Sequence, residues 1–167
     1  KAFASRVKQA AMQLGADIDS IQDVHYTDAF MCSPLTWRLL LDTVEQLAPK
    51  ANLQVQTRIP HNQFGNPKAV FHNFRDAATM QSFVKTYSAH KGLNTNISLK
   101  DVPHYRRMHL TLSGGKHIHL DLDQGFGWLK YDAYHRLSGN AFEDVKKLNG
   151  RLKRAKSFDS YAYVSIV

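Results

Sequence analysis

The sequence predicts an α/β fold: one domain built on a central mixed sheet covered by helices. Three observations lead there. Segments of helical period alternate with segments of period two along the chain, which is the pattern of strands separated by covering helices. The 167 residues are 43% hydrophobic, and a chain of that length buries roughly two-thirds of its unfolded surface, enough for one core. A run of alternating apolar and polar residues folds back on itself around Gly114-Gly115, the signature of a hairpin.

Ala2, Val7, Ala10, Ala11 and Leu14 recur at helical spacing before Gly15, so residues 2–14 are expected to be helical and residues 1–23 to form a helical lead-in. A short extended piece around Val24 and Tyr26 follows. Ser33 is suited to cap the free amides of a helix, and Pro34 to its first position, where a missing N–H costs nothing. That helix is expected over 34–48, with Trp37, Leu40, Leu41, Val44 and Leu47 on one side. NLQVQTRI then alternates Leu53, Val55 and Thr57 against Asn52, Gln54, Gln56 and Arg58, a half-buried strand. PHNQFGNPK is a loop, Val70-Phe71 a candidate short strand, 75–90 a helix ended by Gly92, and 96–99 a further strand.

In the hairpin YRRMHLTL-SGGK-HIHLDL, a two-residue turn would mix apolar and polar side chains on both faces. A three-residue loop at 114–116 sorts them, with Met108, Leu110, Leu112, Ile118, Leu120 and Leu122 on one face. Arg107, His109 and Thr111 are then expected opposite Asp123, Asp121 and His119. GFGWLKY follows as an aromatic turn, residues 141–156 as a basic helix weakened by Gly150, and SYAYVSIV as the closing strand.

The chain carries 22 Lys and Arg against 14 Asp and Glu, a net charge of +8, a surface field that favours polyanions such as nucleic acid or acidic phospholipid headgroups. The lone Cys32 excludes an internal disulfide and a zinc site built on cysteine pairs, and favours a reducing, cytoplasmic setting. No run approaches the roughly 18 apolar residues of a membrane span. The abrupt start at Lys1 suggests part of a longer chain. Neither a Walker loop, a dinucleotide-binding glycine fingerprint nor a serine-nucleophile motif is present, and nothing calls for a cofactor.

Three constellations could carry chemistry. His104-Tyr105-Arg106 leads into the hairpin, and residues two apart on a strand share a face, so a histidine and a guanidinium could grip one phosphate there. The polar face of the hairpin, His109, His117, His119, Asp121 and Asp123, has spacings a metal could use; cross-strand pairing accounts for it without a metal, and no metal site is expected. The basic residues Arg58, Lys146, Lys147, Arg151, Lys153 and Arg154 offer contacts to a phosphate backbone whose binding would weaken with salt.

The stretch PHYRRMHLTLSGGKHIHLDLDQGFGWLK resembles the signature region of the degenerate phospholipase-D-like domains at the C-termini of microtubule-interacting-and-transport domain proteins. VHYTDAFMCSPLTWRLLLDTVEQL resembles a stretch near the C-termini of large bacterial phage-defence helicases, Druantia-like systems among them. The resemblance covers about residues 24–130. It implies a phospholipase-D-like sheet, with His104 and Arg106 standing at the motif's histidine and lysine and Gly125 near the following turn. Arg107, Lys116 and Lys130 join them as phosphate-binding candidates. The motif's lysine is Arg106 here, its aspartate is replaced by Thr111, and a single copy is present, whereas active members need a pair of histidines. The resemblance therefore implies a non-catalytic phosphate-binding module of an anti-phage helicase, with DNA the favoured partner beside other domains of a parent protein. Its alternatives are a homodimeric phosphodiesterase or nuclease using His104 as nucleophile, and a module for acidic phospholipid.

Overall fold

The computed structural model of the chain describes residues 2–59, 73–74, 76–122, 125–126, 129–131, 152–154 and 162–166. Helix α1 spans Ala2–Gln13 and puts Ala4, Val7 and Ala11 into the core, so the helical lead-in is integral to the packing. Strand β1, Ile21–Thr27, buries Val24 and Tyr26 on one side. Ser33 then opens α2, Pro34–Leu47, its hydroxyl accepting the amide of Thr36 at 3.3 Å, as expected of a helix cap. Trp37 is fully buried, and its indole N–H donates to the carbonyl of Met31 at 2.8 Å, which fixes the turn between β1 and the helix.

Strand β2, Asn52–Thr57, follows the expected alternation, with Leu53, Val55 and Thr57 buried. Helix α3, Ala77–Lys91, begins at an Asp76 cap and ends at Gly92 with φ +68°, and β3 runs Asn94–Leu99. Strands β4, Arg107–Leu112, and β5, His117–Leu122, form the hairpin. Strands β6, Leu129–Tyr131, β7, Leu152–Arg154, and β8, Ala162–Ile166, complete the described elements.

Six strands form a mixed sheet in the order β3-β2-β1-β4-β5-β8, parallel among β1, β2 and β3 and antiparallel from β1 to β8. The buried residues of β1, β2, β4 and β5 join those of the three helices in one apolar cluster. The helices therefore cover one face. The other face presents the polar half of the alternating strands β1, β2, β4 and β5.

Several local expectations are corrected. The hairpin faces are sorted as predicted, but the pairing differs by two residues: Arg107 faces Asp121, His109 faces His119 and Thr111 faces His117. The loop is Ser113 to Gly115, because Gly115 takes the left-handed position at φ +76° and the Leu112 amide bonds the carbonyl of Lys116; this is a three-residue hairpin closed by glycine. Within the expected basic helix, 152–154 is a strand paired antiparallel with 129–131, tertiary pairing overriding a helical propensity already weakened by Gly150. Residues 129–131 of the expected aromatic turn are accordingly strand. His104 to Arg106 lie in an irregular segment before β4, because the β1 pairing begins at Arg107. Val70-Phe71 and most of 141–156 lie outside the described residues.

Candidate functional site

The carboxyl ends of β1 and β2 meet the amino end of β4 at one edge of the sheet, and His104, Arg106, Arg58 and Gly125 gather there. They fall into two groups with different chemistry. The first is buried. Asp28, one residue past β1, is 2% exposed; one carboxylate oxygen accepts the Tyr26 hydroxyl at 2.9 Å and the other the Phe30 amide at 2.8 Å. Arg106 Nε stands 3.6 Å from Asp28 Oδ1. Burial raises the Asp28 pKa, against the opposing pull of the Phe30 amide, the Tyr26 hydroxyl and Arg106. Burial, and then the Asp28 carboxylate, push the Tyr26 phenol well above its ordinary value, so its hydroxyl keeps the proton it donates. Burial likewise pushes the nearby Cys32 thiol up to about 11, with Asp28 adding to the effect, and a thiol so held is a poor nucleophile at neutral pH.

Gly125 closes this cluster. Its φ is +53°, and a Cβ built on it would lie 2.6 Å from both the Tyr26 hydroxyl and Arg106 Cδ, and 2.7 Å from the Asp28 carboxylate. Buried Phe126 packs edge-on to Tyr26 with ring centres 5.4 Å apart. Arg106 is thus turned toward a buried carboxylate.

The second group faces solvent. Arg58 follows β2, and its guanidinium is oriented by one hydrogen bond, from Nη2 to the carbonyl of Val102 at 3.0 Å, and by an ion pair between Nε and Asp101 at 2.7 Å. The remaining nitrogen, Nη1, lies 3.5 Å from Nε2 of exposed His104. Asp101 is 88% exposed, so water screens its charge and leaves the guanidinium available to a second anion. The ring of Phe30 lies between the two groups, 5.4 Å from the imidazole of His104 and 5.2 Å from the guanidinium carbon of Arg106. The structure therefore sets His104 beside Arg58, from 46 residues upstream, while Arg106 is turned to Asp28.

The other expected contacts disperse. Arg107 is on the open face, held by Asp121 at 2.6 Å and set over the Tyr105 ring at 5.2 Å. Lys116 is at the hairpin tip, separated from the His104 edge by the six residues of β4, about 20 Å of strand. Lys130, Lys153 and Arg154 lie on the small β6-β7 ribbon, and Lys146, Lys147 and Arg151 fall outside the described residues.

On the open face the register aligns a polar row across the sheet: Asn96, Gln54, His25, His109, His119 and Ser165, each opposite the next. The imidazoles of His109 and His119 stack with centres 4.1 Å apart. Burial, followed by His119, Arg107 and His25, lowers the His109 pKa, and Asp121 opposes the shift. Beside this row lies a cavity of about 330 Å³ whose lining includes His25, Gln54, Gln56, Tyr105, Arg107 and His109. Among the described residues, no group of three or more histidine, cysteine or acidic side chains is arranged to hold a metal.

Sequence reasoning missed Asp28, His25, Gln54 and Gln56 as site residues. The clue to Asp28 was a carboxylate set just past β1, immediately before the apolar run Ala29-Phe30-Met31. The clue to the others was their place on the polar side of alternating strands.

The model of the family described as "DEAD/DEAH box helicase YjiV, C-terminal domain" matches residues 1–165. No curated protein matches the chain. Among the described residues, no helix is long and apolar enough to cross a membrane.

Proposed function

The chain belongs to the family of C-terminal domains of the DEAD/DEAH box helicase YjiV, and from that premise we propose that it is a non-catalytic module that holds nucleic-acid backbone for the helicase. The helicase-associated character follows from the family; the phosphate contact is the proposal. One observation supports it above the rest: Arg58 and His104 converge at the sheet edge, the guanidinium fixed by Asp101 and Val102 with a nitrogen turned toward the imidazole. A pre-oriented guanidinium beside an imidazole is a donor pair for a phosphate oxygen. Arg58 thereby supplies the cation that a phospholipase-D-like motif would take from residue 106, which here serves Asp28.

The charge distribution adds a second contribution. Residues 130–156 contain eight of the 22 basic residues and three of the 14 acidic ones. Several basic side chains elsewhere are matched to carboxylates: Arg38 to Asp42, Lys91 to Asp42 and Glu45, Arg106 to Asp28, Arg107 to Asp121, and Arg58 to the largely exposed Asp101. The long-range attraction for a polyanion is accordingly assigned to 130–156, and local phosphate positioning to Arg58 and His104. DNA is the favoured polyanion, in keeping with the helicase family.

The test is binding of the chain to labelled single-stranded DNA, duplex DNA and acidic liposomes across a salt series, with cleavage measured in the same samples. Wild-type DNA binding should weaken steeply with salt, and Arg58→Ala with His104→Ala should lower the log–log salt slope by about 1 to 2. A preference for liposomes would reassign the site to lipid headgroups. Cleavage that depends on His104 would overturn the non-catalytic half of the proposal, and absence of binding at low salt would overturn the polyanion half.

A further inference from the structure

We infer that the open face of the sheet is a seat for an unpaired base, so that the domain engages single-stranded nucleic acid through its bases as well as its phosphates. The inference rests on the proposed phosphate contact and extends it to a separate surface. That surface adjoins the phosphate pair in the chain: Tyr105 follows His104, and Gln56 lies two residues before Arg58.

The face is chemically unlike an ordinary solvated sheet. None of the residues lining its cavity is a carboxylate, and the acidic groups near it are occupied, Asp121 by Arg107 and Asp23 by the side-chain amide of Asn52. A cationic ligand would find no carboxylate in the lining itself. What the lining offers are flat rings and amides. Tyr105 is 45% exposed, with the Arg107 guanidinium set over its ring, and His109 stacks on His119. A base can stack on tyrosine, on an imidazole or on a guanidinium plane. Gln54 and Gln56, on the adjacent strand, each carry an amide that donates and accepts, the groups needed to read the edge of a base. The lowered His109 pKa favours the neutral ring near neutral pH, which stacks without adding charge. A volume of about 330 Å³ is at the lower end of small-ligand sites, the scale of a single base rather than of a helix or strand from a partner protein. In a duplex the bases are paired and stacked, so this seat distinguishes single strands from duplex, a distinction that backbone phosphate alone does not make.

The experiment compares the chain with two variants, Tyr105→Ala and the pair Gln54→Ala with His109→Ala, each checked for an unchanged melting transition. The probes are a single strand carrying one 2-aminopurine, the same strand labelled at its end, and the matching duplex. Wild-type protein should change the 2-aminopurine emission on binding. Either variant should lose about tenfold in single-strand affinity, the equivalent of one stacked base, together with that emission change, while duplex affinity stays within about twofold. Equal affinities for wild type and variants, or equal losses on single strand and duplex, would overturn the base seat and leave the phosphate contact standing. Salt-sensitive binding to none of the probes would overturn both. Should Gln54→Ala with His109→Ala shift the melt, Tyr105→Ala, at an exposed position outside the strands, decides the matter.

Discussion

Arg106 and Asp28 face one another at 3.6 Å beneath Gly125, with the aspartate almost wholly buried and the arginine side chain about one-fifth exposed. The pair joins the end of β1 to the start of β4 at the junction where the parallel half of the sheet meets the antiparallel half. Among the described residues, Asp28 without the guanidinium would keep two hydrogen bonds, from Tyr26 and the Phe30 amide. Breaking a buried ion pair on one side costs about 3 to 5 kcal/mol. Arg106→Ala is therefore expected to lower the unfolding free energy by about 3 kcal/mol in urea titration, discounting for partial exposure. Combining it with Asp28→Asn should cost less than the two changes summed. At low protein occupancy in the unfolded state, its effect on DNA affinity should be smaller than that of Arg58→Ala.

Gly125 and Gly115 separate backbone strain from crowding. Both have positive φ, but a Cβ on Gly115 meets open space while one on Gly125 would press on Arg106, Tyr26 and Asp28. An alanine at Gly115 should cost only the left-handed penalty, about 1 to 2 kcal/mol. At Gly125 the same penalty adds to overpacking of about 1 to 3 kcal/mol, and the neighbours are fixed by a buried carboxylate. Gly125→Ala should thus be the more destabilising of the two by thermal melting, and equal shifts would show that the cluster can yield.

Much of this architecture was legible locally. Ser33-Pro34 marked the start of α2, and the alternation of β2, β4 and β5 sorted their faces, because period two is written in neighbouring residues. The hairpin register was less legible: loops at 113–115 and 114–116 both preserve the faces, and only the left-handed conformation of Gly115 decides between them. The site was hardest to read. Asp28 meets Arg106, and Arg58 meets His104, only once β1, β2 and β4 are placed side by side. The histidine row likewise depends on registers between β1, β4 and β5, which no local pattern specifies.

The Ser33 cap offers a test of how much α2 depends on its start. The hydroxyl accepts the Thr36 amide, and the Thr36 hydroxyl in turn donates to the Ser33 carbonyl at 2.8 Å. Loss of such a cap costs about 1 kcal/mol when alanine replaces serine and a few tenths when glycine does. Ser33→Ala should lower stability by about 1 kcal/mol, and Ser33→Gly by less, in parallel denaturant titrations. The reverse order would mean that packing of the Ser33 methylene outweighs its hydrogen bond.

His109 makes the stability of the domain depend on pH, and the sign follows from its surroundings. Partial burial, the facing His119, Arg107 and His25 all disfavour the imidazolium, and Asp121 counters them only in part. The folded state therefore binds its proton less readily than the unfolded chain, whose histidine titrates near the ordinary value of 6.5. For a base with a depressed folded pKa, the stability contribution is present above the unfolded pKa and is lost as pH falls through the folded one. Unfolding free energy should decline as the pH is lowered from about 7 to about 5, and His109→Gln should flatten that decline, since glutamine keeps a polar group on the face without titrating. Replacing the neighbour in His119→Gln removes one of the charges that oppose protonation of His109, so the decline should become shallower without vanishing. A pH profile unchanged in both variants would mean that the histidine row does not govern acid sensitivity.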